Sequence, residues 1–319
     1  MRIFIKDMQK GQEIKQVFAL KSKEIKIGKS GNEYLEVNLM DRTGIILGRV
    51  FQLPSSFNID SLGDTFVYVD GMVDDFQGKL QLKIDLIRPT VDIDVFDKSE
   101  VLLIAKENPL DCWNEMYTTV QGFKNPELKL LISTILERNK EKLMWFPAAI
   151  TNHDVELGAL ALHQTLTGRV AKILCTLIEC NTDLAVGMAY IHDIAKIVSY
   201  ETNSLGYAIG MTRKAQLCGD HVVLGAFYIE ALCKELGISG ELKELAEHIM
   251  LSHHGKPEWG SPEKPKCKEA YVVHTSDMIA SKNYVYDHIM ETLSPGEFSG
   301  RIRNLDDAPV FKPENNYNS

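Results

Sequence analysis

The sequence predicts an α+β multidomain chain in which a small N-terminal β-barrel precedes an all-α helical bundle. Residues 12–90 break into short segments that alternate apolar and polar side chains, the period of a half-buried strand. From Pro147 onward, the long segments repeat their apolar residues every three or four positions instead. Five clusters of metal-type ligands all fall within that helical half.

Tyr34–Leu39, Gly44–Phe51, Phe66–Val73 and Lys79–Ile84 read as strands, with turns at Asp41-Arg42-Thr43-Gly44 and Asp75-Phe76-Gln77-Gly78. About five short strands in such a span suit a Greek-key barrel of the OB type, a fold that commonly holds single-stranded nucleic acid; the alternative is a structural or oligomerising barrel. Tyr34, Phe51, Phe76 and Tyr68 are aromatic residues that could stack bases there or fill its core. The OB-type module is assigned to 1–92, and a mixed, increasingly helical linker that packs on the second domain to 93–145. Within the linker, Lys129–Lys142 predicts a surface helix burying Leu130, Leu131, Ile135 and Leu136. The bundle occupies 146–292, with helices expected over 157–178, 183–198, 222–236, 241–252 and 268–290, and an irregular tail fills 293–319. In 157–178 the apolar stripe includes Ile173 and Leu177, and in 183–198 it runs from Leu184 to Val198.

The ordinary content of 45% hydrophobic and 25% charged residues fits a globular protein. No apolar run is long enough for a transmembrane helix, and the N-terminal apolar stretch is too short for a signal peptide. Six cysteines without CxxC spacing read as reduced thiols of a cytoplasmic protein. The net charge of −9 argues against broad duplex binding through phosphate contacts alone. That acidity is uneven, because residues 1–90 hold 13 Lys/Arg against 12 Asp/Glu and include Lys21, Lys23, Lys26 and Lys29. Neither a GxSxG motif nor a P-loop is present, which leaves no serine-nucleophile or P-loop reading.

The ligand clusters are His163, the doublet His192-Asp193, His221, the doublet His253-His254, and Asp277, each about 23 to 32 residues from the next. That spacing is one or two helices with their loops, so the clusters can meet inside a bundle. Imidazole with carboxylate suits two ions of Mn²⁺, Fe²⁺, Co²⁺, Ni²⁺ or Zn²⁺ rather than Mg²⁺, and such a pair fits hydrolysis of a phosphate ester. Lys196 follows Asp193 by three residues, within reach of a phosphate oxygen. Asp220 is placed to cap the helix that His221 opens, and Gly255 to stop the one that His253-His254 closes. His274 competes with Asp277 from one turn earlier, whereas His248 and His288 read as surface residues.

This ligand order resembles the HD phosphohydrolase superfamily in its dinuclear form. The stretch from Leu251 to Pro262 (LSHHGKPEWGSP), Phe146-Pro147-Ala148-Ala149 with Asn152-His153, and the C-terminal Pro295-Gly296-Glu297-Phe298 and Phe311-Lys312-Pro313 resemble the YhaM-type 3′-to-5′ exoribonucleases over nearly the whole chain. The resemblance implies an HD metal-dependent phosphohydrolase domain at 146–292 and two divalent ions, Mn²⁺ foremost. It implies His163, His192, Asp193, His221, His253, His254 and Asp277 as ligands, with Asp193 bridging both metals. Asp193 and Lys196 are then catalytic, and His153, His254 and Lys196 bind substrate. The implied substrate is single-stranded RNA, with single-stranded DNA and a homo-oligomer compatible and no membrane partner. The chain departs from the family pattern at His153-Asp154, where two histidines are usual, and at Asp220. The alternatives are an HD hydrolase of free nucleotides or cyclic dinucleotides, which would not need an OB module, and a non-catalytic nucleic-acid-binding protein with a structural metal. The complete ligand set weighs against the latter.

Overall fold

Five strands near the N-terminus wrap into a closed barrel. β1 (Glu13–Ile27), β2 (Glu33–Asp41), β3 (Gly44–Val50), β4 (Phe66–Phe76) and β5 (Lys79–Pro89) follow the order β1-β2-β3-β5-β4. The structure, a computed structural model, describes residues 2–28, 31–54, 57–76, 78–150 and 156–315. Neighbouring strands are antiparallel except β3 and β5, which run parallel with Leu47 opposite Gln81. That is the five-stranded OB arrangement. β1 is long enough to serve two neighbours, pairing with β4 through its first half and with β2 through its second. A register shift between Leu20 and Ser22 supplies the bend this requires. Alternation directs Phe18, Leu35, Val37, Leu39, Val67, Val69 and Leu82 into the interior, where each is fully buried. Asp41 closes the β2–β3 turn by accepting hydrogen bonds from the Thr43 amide and hydroxyl and from the Ile5 amide.

The chain divides into two compact units, Met1–Ile104 with Thr202–Ile209, and Ala105–Glu201 with Gly210–Ser319. The segment expected as a linker, 93–145, is therefore split: 93–104 group with the barrel and 105–145 with the helices. The barrel unit also claims a distant hairpin tip. Tyr207 is fully buried there, its hydroxyl accepting from the Leu103 amide and donating to the Leu103 carbonyl. Ser204 donates to the Asp64 carbonyl beside it.

The helical unit starts with α1 excluded, because α1 (Lys98–Val101) belongs to the barrel side of the division. It contains α2 (Pro109–Gln121), α3 (Pro126–Leu143), α4 (Ala159–Leu177), α5 (Thr182–Ala189), α6 (Lys196–Ser199), α7 (Arg213–Cys218), α8 (Asp220–Leu236), α9 (Glu241–Ser252) and α10 (Lys268–Thr292). Between α6 and α7 stand the short strands β6 (Tyr200–Thr202) and β7 (Ala208–Met211). Asn108 and Asn125 accept from the first-turn amides of α2 and α3, with Pro109 and Pro126 preset for the first helical position. Among the described residues no helix is long and apolar enough to cross a membrane.

Three details of the periodicity need correction. Leu130 faces solvent at 45% exposure, and Leu128 and Ile132 join the buried face of α3 instead. On α4, Ile173 and Leu177 are exposed, because the burial that surrounds the first half of the helix does not extend to its end. The helix expected over 183–198 breaks: α5 ends at Ala189, a turn with bonds from residue i+3 back to residue i carries Tyr190–Ala195, and α6 resumes for one turn with Val198 exposed.

Gly168 on α4 makes room for the buried Tyr190 ring, since a β-carbon there would collide with it. Tyr190 starts the turn that holds His192 and Asp193. An exposed helical glycine gains from alanine, but here overpacking dominates. Gly168→Ala is expected to lower the unfolding free energy by about 1–3 kcal/mol in a denaturant titration. A stabilised variant would show that the Tyr190 contact is slack.

Candidate metal centre

Five elements bring the seven predicted ligands together. His163 lies on the buried first half of α4, and His192 and Asp193 on the turn after α5. His221 follows the first residue of α8, His253 and His254 follow the last residue of α9, and Asp277 lies on α10. His163, His192, Asp193, His221 and His253 are at most 5% exposed.

The geometry centres on Asp193. Its Oδ2 lies 3.3 Å from His163 Nε2 and 3.4 Å from His192 Nε2. Its Oδ1 lies 3.1 Å from His221 Nε2 and 3.7 Å from His253 Nε2. Asp277 Oδ1 stands 3.1 Å from His163 Nε2 and 3.6 Å from His192 Nε2, on the Oδ2 side. Two groups of candidate ligand atoms result, one from His163, His192 and Asp193 and one from Asp193, His221, His253 and His254, each within 4.8 Å. Asp193 belongs to both.

Ring orientation is set by the backbone. His192 Nδ1 is 2.8 Å from the Ala189 carbonyl, His253 Nδ1 is 2.7 Å from that of Met250, and His254 Nδ1 is 2.7 Å from that of Trp259. A carbonyl only accepts, so each Nδ1 donates its hydrogen and leaves the Nε2 lone pair free to ligate. His274 uses its own Nδ1 to bond the His253 carbonyl and therefore supports the cluster from outside it. Gly255, at φ +77°, allows this approach, because a side chain there would strike the His274 ring. Asp220 does not cap α8 as expected. It sits at φ 59°, accepts from the adjacent His221 amide, and places its carboxylate 3.1 Å from His221 Nδ1.

Whether the residues suit metal ions is tested by what they lack. Asp193 Oδ1, His221 Nε2 and His253 Nε2 are buried without a hydrogen-bond partner. Buried polar atoms that converge without hydrogen bonding one another are costly unless a cation satisfies them. The buried cluster is thus compatible with divalent metal. Its charges agree. Burial opposes a charge on His163, but hydrogen bonds to Asp193 and Asp277 outweigh it and raise the ring to about 9. Burial likewise opposes a charge on His192, and the pull of Asp193 outweighs it and raises that ring to about 10. Burial first, and then the neighbouring His253 and His221, lower His254 to about 3. The Asp193/Asp277 side therefore attracts positive charge while the His253/His254 side offers neutral imidazoles. Lys196 Nζ is 2.6 Å from Asp193 Oδ2, and although burial opposes its charge, Asp193 holds the ammonium firmly protonated.

Of the other predicted site residues, His153 lies outside the described residues, as do Asn152 and Asp154. His248 accepts from the Lys266 amide, and His288 is exposed. Residue-by-residue reading missed Arg303 and Lys282, which line a groove beside Asp277 and His254. Lone cations in a tail and on a long helix carry no local signal; Trp259, in the same groove, stands in the matched sequence block.

A barrel of OB topology joined to a helical unit with this ligand constellation defines an HD-domain protein, and the HD domain family model matches residues 160–281. The chain is similar to proteins named 3′-5′ exoribonuclease YhaM: 31% identical to that of Shouchella clausii over 306 residues (95% of this chain, 94% of the relative). It is 30% identical to that of Halalkalibacterium halodurans over 308 residues (96% and 94%), and 29% identical to that of Bacillus subtilis over 311 residues (95% and 96%). A solved OB-fold domain of replication protein A from Methanococcus maripaludis aligns with 30% of this chain and all of its own, at 20% identity and TM-score 0.21. The chain belongs to the YhaM family of 3′-5′ exoribonucleases.

The raised His163 and His192 rings have a measurable consequence. Asp193 and Asp277 favour a proton on this pair, whose Nε2 atoms lie 3.2 Å apart, whereas a ligating nitrogen must be free. Binding Mn²⁺ at pH 7 should release protons, read by calorimetry in buffers of different ionisation enthalpy. Apparent affinity should rise as pH climbs toward 9, where fewer protons remain to be displaced. Uptake of Mn²⁺ without proton release would place the ions elsewhere.

Proposed function

We propose that this chain is a metal-dependent 3′-to-5′ exoribonuclease that shortens single-stranded RNA, with single-stranded DNA a secondary substrate, and releases nucleoside 5′-monophosphates. One observation carries the reading: a single buried carboxylate, Asp193, turns one oxygen to His163 and His192 and the other to His221 and His253. Membership of an exoribonuclease family supports the bond type and direction. His163, His192, Asp193 and Asp277 would hold one ion and Asp193, His221, His253 and His254 the other. The mixed imidazole and carboxylate set favours Mn²⁺, with Fe²⁺, Co²⁺, Ni²⁺ and Zn²⁺ compatible. Such ions, when bound, polarise a phosphoryl oxygen and make water a stronger nucleophile.

The chain's own residues supply the rest. Asp193 fixes the separation of the two ligand sets. Lys196 brings a buried ammonium to the same carboxylate, where it would stabilise charge developing on a non-bridging phosphate oxygen. His254 and His153 would contact substrate. The barrel would hold the strand upstream: Phe51 and Phe76 are half exposed, Tyr34 pairs with Phe51 at 5.6 Å between ring centroids, and Arg49 lies 5.5 Å from the Phe76 ring. Tyr68 is engaged by Arg88 at 4.4 Å. A cytoplasmic location fits the unpaired cysteines.

The direct test is 5′-labelled single-stranded RNA and DNA incubated with protein and Mn²⁺, Co²⁺ or Mg²⁺. A ladder shortening from the 3′ end with release of 5′-monophosphates is expected, and internal fragments at the earliest times would overturn the reading. Asp193→Ala should abolish the ladder and lower metal content, because both ligand sets lose a member. Lys196→Met should retain metal and lose about 10²-fold in single-turnover rate. Loss of both metals from that variant would make Lys196 purely structural. Phe51→Ala should weaken binding of a long single strand about tenfold, with a smaller effect on a dinucleotide. Equal losses on both would move the barrel from strand holding to folding support.

A further inference from the structure

A groove of about 670 Å³ runs from the metal centre along α10. Asp277, Met278, Ser281, Lys282 and Val285 lie on one side of that helix and form its floor, a run of about 12 Å at 1.5 Å per residue. His254, Trp259 and His274 stand at the catalytic end. The opposite wall is made by the tail, through Arg303, Asn304 and Asp306. The tail is held there by contacts that do not involve Arg303. Lys282 Nζ is 3.0 Å from Asp306 Oδ2, Leu305 and Val310 pack with Val285, and Lys312 Nζ donates to the Met290 and Leu293 carbonyls.

Two features point to the occupant. Trp259 lines the groove and stays 43% exposed although Lys256 Nζ lies 4.4 Å from its ring centroid, which leaves indole surface open beside the ligands. The Arg303 guanidinium is exposed and has no carboxylate or hydrogen-bond partner among the described residues, whereas Lys282 is committed to Asp306. An uncommitted guanidinium and an aromatic plate, in one groove that opens on a phosphodiester-cleaving centre, match a nucleotide and its next phosphate.

Resting on the exoribonuclease reading, we propose that this groove binds the nucleotide on the 5′ side of the scissile bond, with Trp259 stacking its base and Arg303 holding the following phosphate. The C-terminal tail is then part of the substrate site. A dinucleotide such as ApA contains only the scissile phosphate, whereas ApApA adds the one assigned to Arg303. Trp259 therefore serves both substrates and Arg303 only the longer.

The experiment compares kcat/KM on ApApA and ApA for the Mn²⁺-loaded full chain, with metal content measured for every variant. Arg303→Gln should lower the ApApA-to-ApA preference about tenfold, mainly through KM, and Arg303→Lys should restore part of it. Trp259→Leu should weaken both substrates by about tenfold. Binding of 5′-fluorescein ApApA should also lose about 0.7 from its log–log salt slope in Arg303→Gln, as expected for one lost single-strand phosphate contact. An unchanged preference and salt slope in Arg303→Gln would overturn the assignment while leaving the nuclease reading intact if the parent protein shortens long RNA. A parent protein that shortens no RNA would overturn both.

Discussion

A carboxylate that is 2% exposed is the constraint from which the arrangement of the helical unit follows. Burying an ionised Asp193 is expensive unless positive charge and hydrogen-bond donors surround it. Burial pushes its proton affinity up, yet Lys196 and then His192 outweigh this and hold the group well below the usual carboxylate range. Lys196 donates directly to Oδ2. Oδ1 is left facing His221 and His253 without a hydrogen bond, a costly state that a shared cation would relieve. The helices contributing His163, His221, His253 and Asp277 must therefore converge on one point between α5 and α6.

Convergence alone does not make ligands; the rings must also present the right nitrogen. Ala189 and Met250 lie at the C-terminal ends of α5 and α9, where carbonyls have no intrahelical partner. His192 and His253 each stand three residues beyond the carbonyl they bond. The same interaction satisfies an orphan acceptor and locks the tautomer that turns Nε2 toward Asp193. This also explains why the helical pattern breaks at 190–195. A continuous helix would have engaged the Ala189 carbonyl with the amide of residue 193, leaving His192 without its anchor.

That break was invisible to periodicity, since Leu184, Met188, Ile191 and Ala195 keep helical spacing through a turn whose amides bond three residues back. The barrel strands were legible because alternation and burial coincide there, and the ligand clusters because His and Asp are rare on apolar faces. Ile173 and Leu177 misled for the opposite reason: spacing records where a side chain points and says nothing about whether another element covers it. Arg303 had no signal at all. Its placement depends on how the tail folds back, a contact between residues distant in sequence.

The tail motifs themselves acquire a physical reading from that fold. Lys312 satisfies two carbonyls near the end of α10, the Gly296 amide bonds the Lys312 carbonyl, and Phe298 pairs with Phe311 at 4.7 Å between ring centroids. These contacts close a loop whose far side is the turn Arg303–Leu305. Leu305 anchors that turn in the small apolar cluster with Val285 and Val310, while Asp306 and Asp307 adopt positive φ to turn the chain back. Non-glycine residues in that region are strained, and such strain persists only where surrounding contacts over-determine the turn. A segment of Ser, Pro, Gly and Asn composition thus becomes a fixed wall, its order imported from α10. The same helix that supplies Asp277 to the metal centre also fixes where the tail can reach, which ties the position of the groove's outer wall to that of a candidate ligand.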